Sequence, residues 1–82
     1  MKVEIIYANT DTIYSEQVEM PEHSTVQKTI ACSMLLQSHP EIDFNVNKIG
    51  IYGKLVSSDA IVKDNDRIEI YRPLKARTRR VQ

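Results

Sequence analysis

Asp64 to Leu74 reads D-N-D-R-I-E-I-Y-R-P-L, and the reading of this stretch decides the fold. It holds a turn, an alternating strand and a proline stop. Ile68 and Ile70 fall on one face of an extended segment, while Arg67, Glu69 and Tyr71 fall on the other, the period of two of a half-buried strand. In the turn, Asn65 is the residue most able to take a positive φ at modest cost. Beyond Pro73 the chain continues K-A-R-T-R-R-V-Q, basic and without glycine.

Outward from this stretch, Ser57 to Ile61 reads as a polar turn, with Val62 leading into the final strand. Lys48 to Tyr52 is a short strand with Ile49 and Ile51 inward, and Gly53-Lys54 turns it toward a brief extended piece at Leu55 and Val56. Glu41 to Asn47 is an irregular crossing, with Ile42, Phe44 and Val46 as its expected anchors. Upstream, Ser24 and Gln27 form a capping-box pattern for a helix running from about Thr25 into the high thirties, ended by Pro40. Val26, Thr29, Ile30, Ser33, Met34 and Leu36 share its broad face, and Lys28 and Leu35 point away. At the start of the chain, Lys2 to Ala8 places Val3, Ile5 and Tyr7 on one strand face, and Thr12 to Met20 pairs back on it through a loop at Asn9, Thr10 and Asp11. One amphipathic helix over one face of one small sheet is an α+β two-layer domain.

The totals narrow the function classes. Eighty-two residues make one domain with a small core. Apolar residues at 41% and charged residues at 27% are ordinary for a globular protein, and no apolar run approaches a membrane span. The N-terminal M-K-V-E-I-I-Y has neither the length nor the cleavage site of a signal peptide, which points to the cytoplasm. Cys32 is the single cysteine, so an internal disulfide is excluded and no zinc or iron–sulfur site is expected. Charge is divided unevenly: residues 1–71 hold 6 Lys/Arg against 11 Asp/Glu, and residues 72–82 hold 5 Lys/Arg and no acid. The expected organisation is a folded domain over 1–74 and a basic flexible tail over 75–82.

The order strand, strand, helix, strand, short strand, strand resembles the β-grasp, or ubiquitin-like, arrangement. The segments V-E-I-I-Y-A, the helix opening T-V, N-K-I-G-I-Y-G-K and D-R-I-E-I-Y-R-P-L are similar to the RnfH family of small bacterial proteins, over Val3 to Leu74. The family usually has Asp-Gly-Asp where this chain has Asp64-Asn65-Asp66. The resemblance implies a ββαββ mixed sheet with one helix packed across one face, and a last strand lying centrally, parallel to the first and between the first and third. It also implies candidates for a protein partner. RnfH-like proteins are associated by gene context with the membrane Rnf electron-transport complex, and some are paired with a START-like, lipid-binding-fold protein as an antitoxin-like couple.

Sulfur carriers of this fold need a flexible Gly-Gly terminus that enters an adenylating enzyme. The glycines here, Gly50 and Gly53, are both internal, which disfavours a carrier role. Cys32 with His23 or His39 lacks anything tying a base to the thiol, so no catalytic residue is expected. Asp64 and Asp66 lack the glycine and distal glutamate of a calcium loop, and neither metal nor cofactor is expected. The cations Arg72, Lys75, Arg77, Arg79 and Arg80 could meet phosphate, but an acidic body and no recognition-helix pattern argue against nucleic acid.

The face of the sheet away from the helix is the more informative surface. With Ile49, Ile51, Ile68 and Ile70 inward, Ile6, Gly50, Tyr52 and Tyr71 point outward, bordered by Glu4, Arg67, Glu69 and Arg72. Two tyrosines and an isoleucine around a bare glycine, rimmed by both signs of charge, fit a protein-binding surface. The expectation is a non-enzymatic protein-binding module whose partner is a START-like protein or, alternatively, a subunit of an Rnf-type redox complex. Its oligomeric state is open.

Overall fold

The computed structural model describes residues 1–8 and 13–72. Its elements run β1 (Lys2–Ala8), β2 (Ile13–Glu19), α1 (Val26–Ala31), α2 (Leu35–Ser38), β3 (Ile49–Ile51), β4 (Lys54–Leu55) and β5 (Arg67–Ile70). The expected loop at Asn9, Thr10 and Asp11, the stop at Pro73 and the tail 75–82 lie outside the described residues. One sheet holds all the strands in the order β2-β1-β5-β3-β4. As expected, β5 lies centrally, parallel to β1 and antiparallel to β3.

Register puts the branched residues in rows. Ile5 stands beside Ile68 and Tyr7 beside Ile70, and across the other side Ile70 meets Ile49 and Ile68 meets Ile51. Val26, Ile30 and Leu35 cover these rows from above, and all but the half-buried Ile51 join one buried cluster. Burying Ile68 and Ile70 contributes roughly 1.5–3 kcal/mol each. The parallel register is pinned at the turn before β5. Asn65 does take a positive φ of 68°, and its N–H donates to the Lys2 carbonyl at 2.7 Å. In return the Lys2 N–H donates to Asp64 Oδ1 at 2.8 Å, and the Glu4 N–H donates to the Asp66 carbonyl at 2.9 Å. The D-N-D turn therefore ties the entry of β5 to the beginning of β1.

The helical region departs from the sequence expectation in two ways. Thr25, not Ser24, is the N-cap: its Oγ1 accepts the Lys28 N–H at 3.1 Å. Ser24 lies one residue before the cap position, and its hydroxyl turns back to donate to the Pro21 carbonyl at 2.6 Å. The single long helix is in fact two short ones, broken at Cys32 to Met34. Ser33 makes the break, with Oγ donating to the Ile30 carbonyl at 2.6 Å and accepting the Leu35 N–H at 3.2 Å, bonds that compete with the helical ladder. The break changes which side chains face the sheet. Leu35, expected to point away, is fully buried, whereas Met34 and Leu36 are exposed.

The crossing from Glu41 to Asn47 is also anchored differently. Ile42 is buried as expected, but Phe44 and Val46 are exposed. The second anchor is polar: buried Asn47 donates from Nδ2 to the Tyr71 carbonyl at 2.9 Å and accepts the Asp43 N–H at 3.0 Å. With both ends of its buried amide bonded, Asn47 leaves no costly unpaired group and ties the loop to the end of β5.

Candidate partner-binding face

The outer face is built by the even positions of β1 and the odd positions of β5, the strand faces opposite the core. Glu4 lies beside Arg67, and Ile6 beside Glu69. Glu69 in turn faces Gly50, which pairs with Leu55. The hairpin between β3 and β4 turns on two residues, Tyr52 at φ 48° and Gly53 at φ 83°, the left-handed pair that a two-residue hairpin loop requires.

Glu69 organises this surface. Its Oε1 accepts the Tyr71 hydroxyl at 2.6 Å and the Gly53 N–H at 2.8 Å, so one carboxylate holds both the tyrosine and the hairpin turn. The bond to Glu69, reinforced by burial, pushes the Tyr71 phenol from its ordinary 10.0 up to about 12. Beside it, Arg67 Nε donates to Glu4 Oε1 at 3.1 Å, and the Arg67 guanidinium lies 5.7 Å from the centre of the Tyr52 ring. The Tyr52 hydroxyl donates to the Asn65 carbonyl at 2.7 Å. The face is thus a set of short polar links under a few exposed apolar groups.

The structure places the expected residues unevenly. Glu69 and Tyr71 are joined directly, Tyr52 and Arg67 stack, and Ile6 sits half-buried between Ser15 and Glu69 in the same row. Gly50 is not bare: the Tyr71 ring lies over it, and a Cβ there would fall 2.9 Å from Tyr71 Cε2. The glycine is a seat for the ring, so it contributes no open surface. Arg72 also departs from expectation. It shares the parity of Ile68 and Ile70, and its charge acts on the Tyr7 hydroxyl of the helix side, opposing the rise that burial and Glu41 impose there.

Two exposed apolar residues of this face were not anticipated. Leu55, paired with Gly50, is 64% exposed, and Ile13, opposite Ala8 in β2, is 73% exposed; Tyr52 is 61% exposed. The Y-G pair flanked by Ile51 and Lys54 was the available signal for Leu55, because a two-residue turn fixes its partner. The alternative thiol–imidazole pairing gains no support from geometry. Cys32 is exposed at the C-cap of α1, and His39 packs edge-on against Tyr7 and Tyr14 with ring centroids 5.0 and 5.4 Å away.

With this geometry in view, comparison with known proteins becomes specific. The family described as RnfH family Ubiquitin matches residues 1–82. This chain belongs to the RnfH family. Protein RnfH of Methylococcus capsulatus is 51% identical over 76 residues, covering 93% of this chain and 80% of the relative. Among solved structures, SAMP1 from Haloferax volcanii superposes with a TM-score of 0.68 at 13% identity, covering 93% of this chain and 99% of that one. A ubiquitin-like protein from Caldiarchaeum subterraneum superposes at 0.55 and 17% identity over the whole of both chains. At these identities the structural likeness shows the fold alone, and that fold is the ubiquitin-like β-grasp. The expected α+β class is therefore correct, with the covering helix divided in two. Among the described residues of this RnfH-family chain, no helix is long and apolar enough to cross a membrane.

Proposed function

We propose that this RnfH-family chain is a non-enzymatic protein-binding module that docks a START-like protein, as an antitoxin-like partner, through the outer face of its sheet. The observation that carries the reading is the exposure of Tyr52 and Leu55 on a hairpin whose turn is clamped by Glu69. Exposed apolar groups on a rigid frame lose little conformational freedom when they are covered, which favours recognition. Large aromatic side chains are also the ones that most often dominate protein interfaces.

The test is capture of partners from a bacterial lysate with the full chain and with Tyr52→Ala and Leu55→Ala variants that keep the wild-type circular dichroism. A START-like protein retained by the wild type and lost by both variants supports the reading. Retention of every partner by both variants would remove the outer face from consideration. Recovery of a membrane electron-transport subunit in place of the START-like protein would favour the Rnf-accessory alternative. For a carrier role, intact mass after incubation with ATP and an activating enzyme would have to reveal an adenylate or thiocarboxylate.

A further inference from the structure

β2 is an edge of the sheet: β1 pairs with one side of it and no described strand pairs with the other. The backbone groups on the open side can be assigned. Met1 and Met20 exchange both backbone bonds, Met20 N–H to the Met1 carbonyl at 2.8 Å and the Met1 ammonium to the Met20 carbonyl at 2.7 Å. Antiparallel pairs alternate between bonded and non-bonded residues, so Val18, Glu16 and Tyr14 also direct their backbone groups toward β1. Ile13, Ser15, Gln17 and Glu19 therefore direct theirs away from the sheet, and all four are exposed.

Sheet edges are commonly blunted by charged side chains, lysine above all, by proline, by a bulge or by being very short. β2 relies on charge alone. Its seven residues, I-Y-S-E-Q-V-E, contain no lysine or proline, and its seven cross-strand pairs run without interruption. What it carries is negative charge. From residue 3 to residue 27 the chain holds Glu4, Asp11, Glu16, Glu19 and Glu22, with no lysine or arginine. Glu16 is held in place, its Oε1 accepting both the Tyr14 hydroxyl and the Met34 N–H. It brings a fixed carboxylate to the helix side of the edge, while Glu19 supplies one on the outer side.

We propose that the open edge of β2 is a strand-addition site for an extended, cationic segment of a partner protein. Main-chain bonds to Ser15, Gln17 and Glu19 supply the affinity, and Lys or Arg side chains alternating along the outer face of the added strand meet the Glu19 carboxylate, with Glu16 adding to the negative field of the edge. The same charges select against a second copy of this chain, because pairing β2 with itself crowds like charges along one ladder. This site is separate from the outer face carrying Tyr52 and Leu55, and it stands or falls independently.

The probe is the capped peptide T-K-V-R-V-K-T, titrated into the ¹⁵N-labelled full chain, with T-E-V-E-V-E-T as control. Saturable shifts and slowed hydrogen exchange are expected at the Ser15, Gln17 and Glu19 amides with the cationic peptide and not with the acidic one. A Gln17→Lys, Glu19→Lys double variant, which alters only exposed side chains, should bind the cationic peptide at least tenfold more weakly. Gln17→Pro removes one outward N–H and should do the same if it folds. Equal binding of both peptides, shifts centred on Tyr52 and Leu55, or no shift at millimolar peptide would each overturn the proposal. So would concentration-dependent β2 shifts without peptide, which would make the occupant a second copy.

Discussion

Ile68 and Glu69 are neighbours in the chain and lie on opposite faces of β5. On the helix side, Ile68 is fully buried among Ile5, Ile51 and the covering helices, held by area removed from water. On the outer side, Glu69 holds its neighbours through two bonds to one oxygen, and the apolar groups nearby remain exposed. The first face makes the fold and tolerates little change. The second spends polar bonds on fixing the shape of a surface that is still open, which is where a partner can act without competing with stability.

This contrast can be broken most severely at Ile68. Ile68→Ala should lose roughly 2–5 kcal/mol in urea unfolding, a large share of what a small domain has. A loss below about 1 kcal/mol would mean that the central strand is not the centre of the core. Gly50→Ala comes next, because the added methyl must displace the Tyr71 ring. The expected cost is about 1–3 kcal/mol, with the Tyr71 phenol titrating earlier in an absorbance titration as its bond to Glu69 is lost.

Tyr71→Phe keeps the ring over Gly50 and removes only the hydroxyl, so a smaller loss of about 0.5–1.5 kcal/mol is expected. It should also change the alkaline limb of the stability profile. Because folding raises the Tyr71 pKa from 10.0 to about 12, the protonated phenol contributes stability that is complete below pH 10 and is lost as pH rises toward 12. Unfolding measured at several pH values across that window should fall less steeply in the variant. Tyr52→Ala, which gives up only an exposed bond and an exposed ring contact, should be the mildest, within about 1 kcal/mol of wild type, and yet the most damaging to partner capture. If it destabilised the protein as much as Ile68→Ala, the separation between the faces would collapse.

Strands were legible in the sequence because the side-chain period of a strand is local: Val3, Ile5 and Tyr7, or Ile68 and Ile70, need only their neighbours to be assigned. Asn65 was legible for the same reason, since the preference for positive φ belongs to the residue itself. The helix was not. A helical wheel assumes one continuous cylinder, and the Ser33 hydroxyl interrupts it, carrying Leu35 inward and Met34 outward. Nothing in a periodic pattern says whether a serine will bond along the helix or across its end. On the outer face, parity identified Glu69, Tyr71 and Ile6, but the seating of Tyr71 on Gly50 depends on the register between β5 and β3. That register is a property of the assembled sheet.

The pairing of β1 with β5 also sets the order in which the molecule can be made. Glu4 meets Arg67 across 63 residues of chain, while β1 ends at Ala8 and its partner β2 begins at Ile13. During translation the first hairpin emerges early but presents Val3, Ile5 and Tyr7 without the strand that completes their layer. The core must wait until residues 67–70 have left the ribosome, because its layer closes only by long-range pairing, the kind that is slow to form. Until then Val3, Ile5 and Tyr7 lack the neighbour that completes their layer, and the strand made latest, β5, is the one inserted into the middle.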